Sequence, residues 1–297
     1  MRSEKEGRWF VLSVRAPLPG EEPLVVDGLK RLGGRVVEWE GQRLVAYLPP
    51  PKDLPTALDE ARGVLRSRTR LQDLNLRWEW RARDGAFLEG DRETTPYRVS
   101  SRILVVPPGG AVEGEEADLV VRLDPDVAFG TGQHPTTRAC VRLLERILEP
   151  GATVLDVGAG SGVLSVVAAL LGASEVTALE KDPYGCEAIL RNASANQVEA
   201  VCEVRRVEVR PGGLSAGNTY DVVLANLEAP VLFPLLTTDL FRAVEPGGAL
   251  VVSGVLEGEG REVVERVVNQ GGSVAEELVD EGWWSGMFAV PAGPAED

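Results

Sequence analysis

No apolar run in the sequence approaches the length needed to cross a bilayer. The opening residues, Met1 to Arg8, are polar and lead straight into an amphipathic strand, so they lack the apolar region of a secretory signal. Cysteine is scarce: Cys140, Cys186 and Cys202 are odd in number and widely spaced, which argues against a disulfide framework or a metal cluster. They read as small buried hydrophobes in a reducing, cytoplasmic setting. Histidine occurs once, at His134. Basic residues are outnumbered, 31 Lys and Arg against 46 Asp and Glu, for a formal net charge of −15. That balance argues against direct nucleic-acid binding, because phosphates call for a basic face. It suits a basic protein partner steered by an acidic surface, and it equally suits solubility alone. There is no internal repeat and no low-complexity segment.

The 297 residues that are present exceed the usual single-domain length, and 44% hydrophobic against 26% charged residues is ordinary for a globular chain. The first part alternates as strand (9–14), helix (21–32, stopped by Gly33-Gly34), a hairpin (35–40 and 43–48 across Gly41-Gln42), helix (53–71, capped by Asp53) and strand (76–81). Strand-helix-strand-strand-helix-strand predicts a small α+β domain of ferredoxin-like type over residues 1–84. Residues 85–100 read as a linker. The remainder, 101–297, opens with a strand pair (102–106, 118–123). It then alternates helix and strand, with strands centred on Val154, Val176, Val204, Val223 and Val251 and two more near 273–277 and 287–290. That pattern predicts an α/β, doubly wound, mostly parallel sheet with a hairpin-like end.

Within it, Val154-Leu155-Asp156-Val157-Gly158-Ala159-Gly160-Ser161-Gly162 runs an apolar strand into glycines at every second position. Glycine there permits a sharp turn and close approach of a ligand to the main chain. A second strand ends in Glu180, whose carboxylate can accept hydrogen bonds from both hydroxyls of a ribose. The dinucleotide fingerprint G-x-G-x-x-G would need glycine where Val163 stands, which disfavours a nicotinamide cofactor. A turn without any ligand is the other alternative. Ligands in such sheets lie beyond the carboxyl ends of the strands. There Asn226 ends a further strand, and the dense segment Ala128-Phe129-Gly130-Thr131-Gly132-Gln133-His134-Pro135-Thr136-Thr137 precedes the first helix of the sheet domain.

Asp-x-Gly-x-Gly-x-Gly resembles motif I of the class I S-adenosyl-L-methionine (AdoMet) methyltransferases. Ala-Phe-Gly-Thr-Gly-x-His-Pro-Thr-Thr together with Ala-Asn-Leu is more specific, and resembles the ribosomal protein L11 methyltransferases (the PrmA family) from about Arg102 to Leu256. The resemblance implies a Rossmann-like class I methyltransferase fold whose last strand is antiparallel, preceded by a substrate-recognition domain. It also implies transfer of methyl groups from AdoMet to lysine or N-terminal amines of a ribosomal protein. A methyltransferase acting on another protein or a small amine, or a non-catalytic AdoMet-binding module, are the alternatives. Thr137, Gly158, Glu180 and Asn226 match positions that contact AdoMet in the family, with Gly160 in the same turn; Phe129, Gly130 and Thr131 match its cofactor-side loop. The family usually has Asp at the position of Glu180, and its tryptophan-rich segment after the first domain is not recognisable here.

An amine attacking a sulfonium-bound methyl needs alignment and loss of its proton, not an enzyme nucleophile. Asn226 is expected to orient the amine through its carbonyl oxygen, or else to be a strand-end turn residue. His134 either assists proton removal or shapes its loop by hydrogen bonding. Thr137 is expected to cap the following helix as well as to touch AdoMet. Phe129 is a lid or a stacking partner, and Asp156 supports the turn or approaches the methionine amine. Trp283 and Trp284 belong either to the core or to a substrate wall.

Overall fold

A computed structural model of the chain describes residues 8–15, 22–34, 36–40, 43–48, 51, 53–68, 75–82, 96–107, 110–112, 117–124, 132–214 and 218–292. By its contacts the chain divides into two units, 1–92 and 93–297. Of the stretch read as a linker, residues 85–95 lie outside the described residues and Tyr97–Arg98 form a strand of the second unit. The first unit comprises β1 (Arg8–Arg15), α1 (Glu22–Arg31), β2 (Val36–Glu40), β3 (Arg43–Leu48), α2 (Leu54–Arg68) and β4 (Arg77–Ala82). Its sheet runs β2-β3-β1-β4 with every neighbouring pair antiparallel, the ferredoxin-like order. Alternation sorts the strands: Phe10, Leu12 and Val14 join Leu44, Ala46 and Leu48 in one cluster with Val25, Leu29, Ala61 and Leu65 of the two helices. Asp53 caps α2 as expected, accepting from the Thr56 backbone N–H at 3.0 Å. The hairpin pairs Glu40 with Arg43, and its two turn residues lie outside the described residues.

The second unit begins with a small sheet of β5 (Tyr97–Arg98), β6 (Ile103–Val106) and β7 (Leu119–Arg122), of which β6 and β7 are the expected pair. It continues through α3 (Pro135–Ile147), β8 (Thr153–Val157), α4 (Val163–Leu170), β9 (Glu175–Glu180), α5 (Pro183–Ala195), β10 (Cys202–Arg206) and β11 (Tyr220–Asn226). Then come α6 (Ala229–Thr238), β12 (Val244–Leu256), α7 (Gly260–Val268), β13 (Ser273–Asp280) and β14 (Trp283–Ala289). The large sheet runs β10-β9-β8-β11-β12-β14-β13, parallel except for β14, which lies antiparallel between β12 and β13.

Residues of α3, α4 and α5 pack with β8 and β9 side chains in one buried cluster, and those of α6 and α7 in another that includes Leu155 and Leu179 of the same strands. The sheet is therefore sandwiched, as the apolar character of its strands requires. Helix α4 is the most deeply set, with Val163, Leu164, Val166 and Val167 all buried; each contributes roughly 1.5–3 kcal/mol by leaving water. The three cysteines are free and buried, and burial pushes the Cys140 thiol up to about 12. β14 starts earlier than its apolar run suggests. Glu281 and Gly282 both adopt positive φ, 51° and 80°, which closes a tight hairpin turn and brings Trp283 and Trp284 into the strand. No helix among the described residues is long and apolar enough to cross a membrane.

Candidate functional site

β8 is the strand at which the chain's direction of travel across the sheet reverses: β9 and β10 add on one side, β11 and β12 on the other. Ligands bind beyond the carboxyl ends of strands at such a switch point. Register fixes what stands there. Val157 pairs with Leu179 of β9 on one side and with Ala225 of β11 on the other. One residue further along each of these three neighbouring strands come Glu180, Gly158 and Asn226. With strands about 4.8 Å apart, the three sit abreast over roughly 10 Å of sheet edge.

The turn after β8 is held from below. The N–H groups of Gly158 and Ala159 donate to the Leu179 carbonyl at 2.9 and 3.0 Å, and Gly162 N–H donates to the Ala159 carbonyl at 2.8 Å. Gly158, Gly160 and Gly162 have φ of 76°, 58° and 79°, a region that residues with a Cβ rarely enter. A Cβ on Gly158 would stand 2.5 Å from Leu227 Cδ2, and one on Gly162 would stand 2.9 Å from Ile189 Cγ2. Spacing and space thus agree on glycine.

Glu180 is half-buried, and its two oxygens accept from different backbone donors: Oε2 from Gly160 N–H at 2.9 Å and Oε1 from Asp182 N–H at 2.8 Å. Each oxygen keeps a second lone pair for a ligand hydroxyl, so the carboxylate is anchored without being saturated. Asp156 lies one step back on β8, 1% exposed, and accepts from Ser165 Oγ at 2.6 Å. Loss of water pushes its carboxyl up to about 6, the Ser165 hydroxyl opposes this, and the Glu180 charge adds to it.

On the far side, Asn226 Nδ2 meets Thr137 Oγ1 at 3.5 Å. That contact is long for a hydrogen bond, so most of the amide's capacity is unused by it. Thr137 itself is buried in the first turn of α3. The helix cap is His134 rather than Thr137. The His134 Nδ1 accepts from Thr136 N–H at 3.3 Å and lies 2.7 Å from Thr136 Oγ1, with Pro135 opening the helix. An Nδ1 that accepts leaves the neutral ring's hydrogen on Nε2. The imidazole packs edge-on against Trp283, ring centroids 4.8 Å apart at 70°. Arg138 fastens that hairpin tip to α3 by bonding Asp280 at 3.0 Å, Glu281 at 2.7 Å and the Gln133 carbonyl.

Trp284, by contrast, is 3% exposed and packs in the core with its indole N–H on Glu277 at 2.8 Å. Of the residues expected at the site, Gly158, Gly160, Glu180, Asn226, Thr137 and His134 are therefore placed on neighbouring elements. Phe129, Gly130 and Thr131 lie outside the described residues. Asn192 and Asn196 escaped the sequence reading, although two asparagines four apart at the end of a helix are poor helix formers without local or tertiary partners. Asn192 is 1% exposed and donates to the Ser161 carbonyl inside the turn at 2.8 Å.

The arrangement offers a carboxylate for a diol, close-approach backbone, and an uncharged amide and hydroxyl opposite. Such a donor set fits a nucleoside that carries a positive centre better than one that carries a pyrophosphate.

Comparison with known proteins bears on this directly. The family model described as ribosomal protein L11 methyltransferase (PrmA) matches residues 34–289. A ribosomal protein L11 methyltransferase of Heliobacterium modesticaldum is 38% identical over 198 residues, covering 67% of this chain and 61% of that protein. Its counterpart in Halalkalibacterium halodurans is 38% identical over 190 residues, covering 63% and 59%. The chain thus spans about three fifths of the length of these curated relatives. Among solved structures, the ribosomal protein L11 methylase of Lactobacillus delbrueckii subsp. bulgaricus shares the fold. It has a TM-score of 0.60 at 23% identity and covers 66% of this chain and 99% of that one.

Proposed function

The chain belongs to the ribosomal protein L11 methyltransferase (PrmA) family, and from that premise we propose that it transfers methyl groups from AdoMet to lysine side-chain or N-terminal amines of ribosomal protein L11 in the cytoplasm. The observation that carries this reading is the row of Glu180, Gly158 and Asn226 at the sheet's switch point, with Thr137 across from Asn226. Bound AdoMet supplies a methyl group activated by its sulfonium.

The chain's own residues supply placement. Glu180 holds the ribose hydroxyls with the lone pairs that Gly160 and Asp182 leave open. The glycine turn lets the nucleoside approach the main chain. Asn226 accepts and orients the N–H bonds of the acceptor amine through its carbonyl oxygen without adding charge, with Thr137 beside it on the AdoMet side, so alignment provides most of the rate enhancement. His134 serves by capping α3 and backing Trp283, because taking a proton at Nδ1 would break the cap. The acceptor lysine, ordinarily of pKa near 10.4, loses its proton on entering a site that disfavours the charged form. The first unit is the substrate-recognition domain, and the acidic surplus of the chain lies in the second unit, where it steers a basic ribosomal protein toward the sheet-edge site.

The test is calorimetry with AdoMet, S-adenosylhomocysteine and NAD, followed by methyl-labelled AdoMet with purified L11. Binding of the first two but not NAD, and label on L11, is the expected result. Failure to bind AdoMet refutes the site. Binding without label on L11, or on any protein of a lysate lacking the native enzyme, refutes the activity.

A further inference from the structure

We infer that Asn192 is a positioning residue for nucleoside binding: its buried amide clamps the glycine turn to the end of β7. The inference rests on the AdoMet reading of the turn. Asn192 donates from Nδ2 to the Ser161 carbonyl at 2.8 Å and accepts at Oδ1 from Asp124 N–H at 3.0 Å. Both ends of the amide are therefore engaged, on segments 37 residues apart in sequence, within a side chain only 1% exposed.

The partner at Ser161 matters because of its neighbours. Gly160 and Gly162 flank it, both at positive φ, where a glycine peptide can rotate at little steric cost. Rotation of the Ser161–Gly162 peptide would turn the carbonyl away and redirect Gly162 N–H, which closes the turn onto the Ala159 carbonyl at 2.8 Å. Asn192 opposes that rotation, since it would strand a buried amide donor. Ile189, one turn earlier on α5, blocks the same place sterically against Gly162. Helix α5 therefore holds the turn in one conformation before any ligand arrives, which spares the ligand the cost of ordering it.

Asn196 supplies the control. It lies just past the end of α5 and grips Arg122 on β7 by accepting from its N–H at 2.8 Å and donating to its carbonyl at 2.6 Å. It also donates to the Asn192 carbonyl at 2.7 Å, its side-chain bonds reach β7 where those of Asn192 reach Asp124 just past it, and Asn192 alone of the two bonds the turn.

The test compares Asn192→Ala, Asn192→Asp and Asn196→Ala for S-adenosylhomocysteine affinity by calorimetry and for melting temperature. Asp keeps the acceptor for Asp124 and loses the donor for Ser161. Both Asn192 variants should bind S-adenosylhomocysteine at least about tenfold more weakly than wild type, as expected when a buried hydrogen bond that orders the site is lost. Asn196→Ala should melt about 3–6 °C lower and bind within about twofold of wild type. Equal weakening in Asn196→Ala, or unchanged affinity in Asn192→Asp, overturns the inference.

Hydrogen exchange on the wild-type protein tests it without any variant. S-adenosylhomocysteine should slow exchange at the Asp124 amide and leave the Arg122 amide unchanged, and no added protection at Asp124 overturns the coupling. If wild type itself fails to bind S-adenosylhomocysteine, the functional reading falls first and takes this inference with it. Wild-type binding without these effects sinks the role of Asn192 alone.

Discussion

Stability should respond to pH at Asp156 in the direction opposite to most native carboxylates. Its side chain is 1% exposed, and its hydrogen bond from Ser165 at 2.6 Å does not replace the water it gives up. Burial pushes the carboxyl from an ordinary 3.8 up to about 6. A difference of about two pKa units corresponds to roughly 3 kcal/mol. Below about pH 4 the group is protonated whether the chain is folded or not, and Asp156 costs nothing. Between about pH 4 and 6 the unfolded chain releases the proton while the folded one retains it, so stability declines as pH rises. Above that the full cost persists.

Glu40, held low by Arg81, and Asp221, held low by Thr153, work the other way, adding stability above their unfolded values and losing it as pH falls. The isolating perturbation is Asp156→Asn, which is neutral at every pH and similar in size. Urea unfolding of both proteins from pH 4 to 8 gives the difference. The variant should gain on wild type by roughly 3 kcal/mol between pH 4 and 7, most of it below about pH 6. A difference that is flat with pH, or that moves against the variant, refutes the reasoning.

Three further outcomes follow from the same site. Glu180→Ala removes the anchor of Gly160 and the diol acceptor together, and should weaken AdoMet binding by roughly 1–3 kcal/mol in calorimetry; unchanged affinity would take Glu180 out of the site. Gly162→Ala forces a side chain at φ 79° to within 2.9 Å of Ile189, and should cost on the order of 1–3 kcal/mol, read as a melting temperature several degrees lower. A melting point within about 1 °C of wild type contradicts the crowding. Asn226→Ala gives up only a 3.5 Å contact within the protein, so melting should barely move while methyl transfer to L11 slows about 10²-fold or more. Wild-type turnover in that variant would show that another group orients the amine.

The parts legible in the sequence were those written locally. The strand-turn-helix around Gly158 declares itself because an apolar run, a carboxylate and three glycines fall within ten residues. Glu180 follows as the end of the next apolar run, one helix later. Elements centred on Val154, Val176, Val204, Val223 and Val251 were readable for the same reason, alternation being a property of neighbouring residues. What depends on distant partners was not readable. Nothing near Asn192 announces Ser161, 31 positions away, or Asp124, 68 away. The place of β14 between β12 and β13 is a matter of strand order, which periodicity does not encode. Thr137 looked like the cap because hydroxyls favour that position. His134 takes it because Pro135, ideal at the first helical residue, sets where the helix starts. Trp283 and Trp284 looked alike in sequence and were separated only by strand alternation, which sends one toward His134 and the other into the core.

The pairing of Val157 with both Leu179 and Ala225 has an evolutionary consequence. Three candidate site residues from stretches far apart in the gene meet because Glu180 and Asn226 end their strands, and Gly158 directly follows its own, at the same level. Inserting or deleting a single codon inside β8, β9 or β11 would invert that strand's side chains and withdraw its contribution. Length changes should therefore be tolerated in the loops that follow and selected against within these strands.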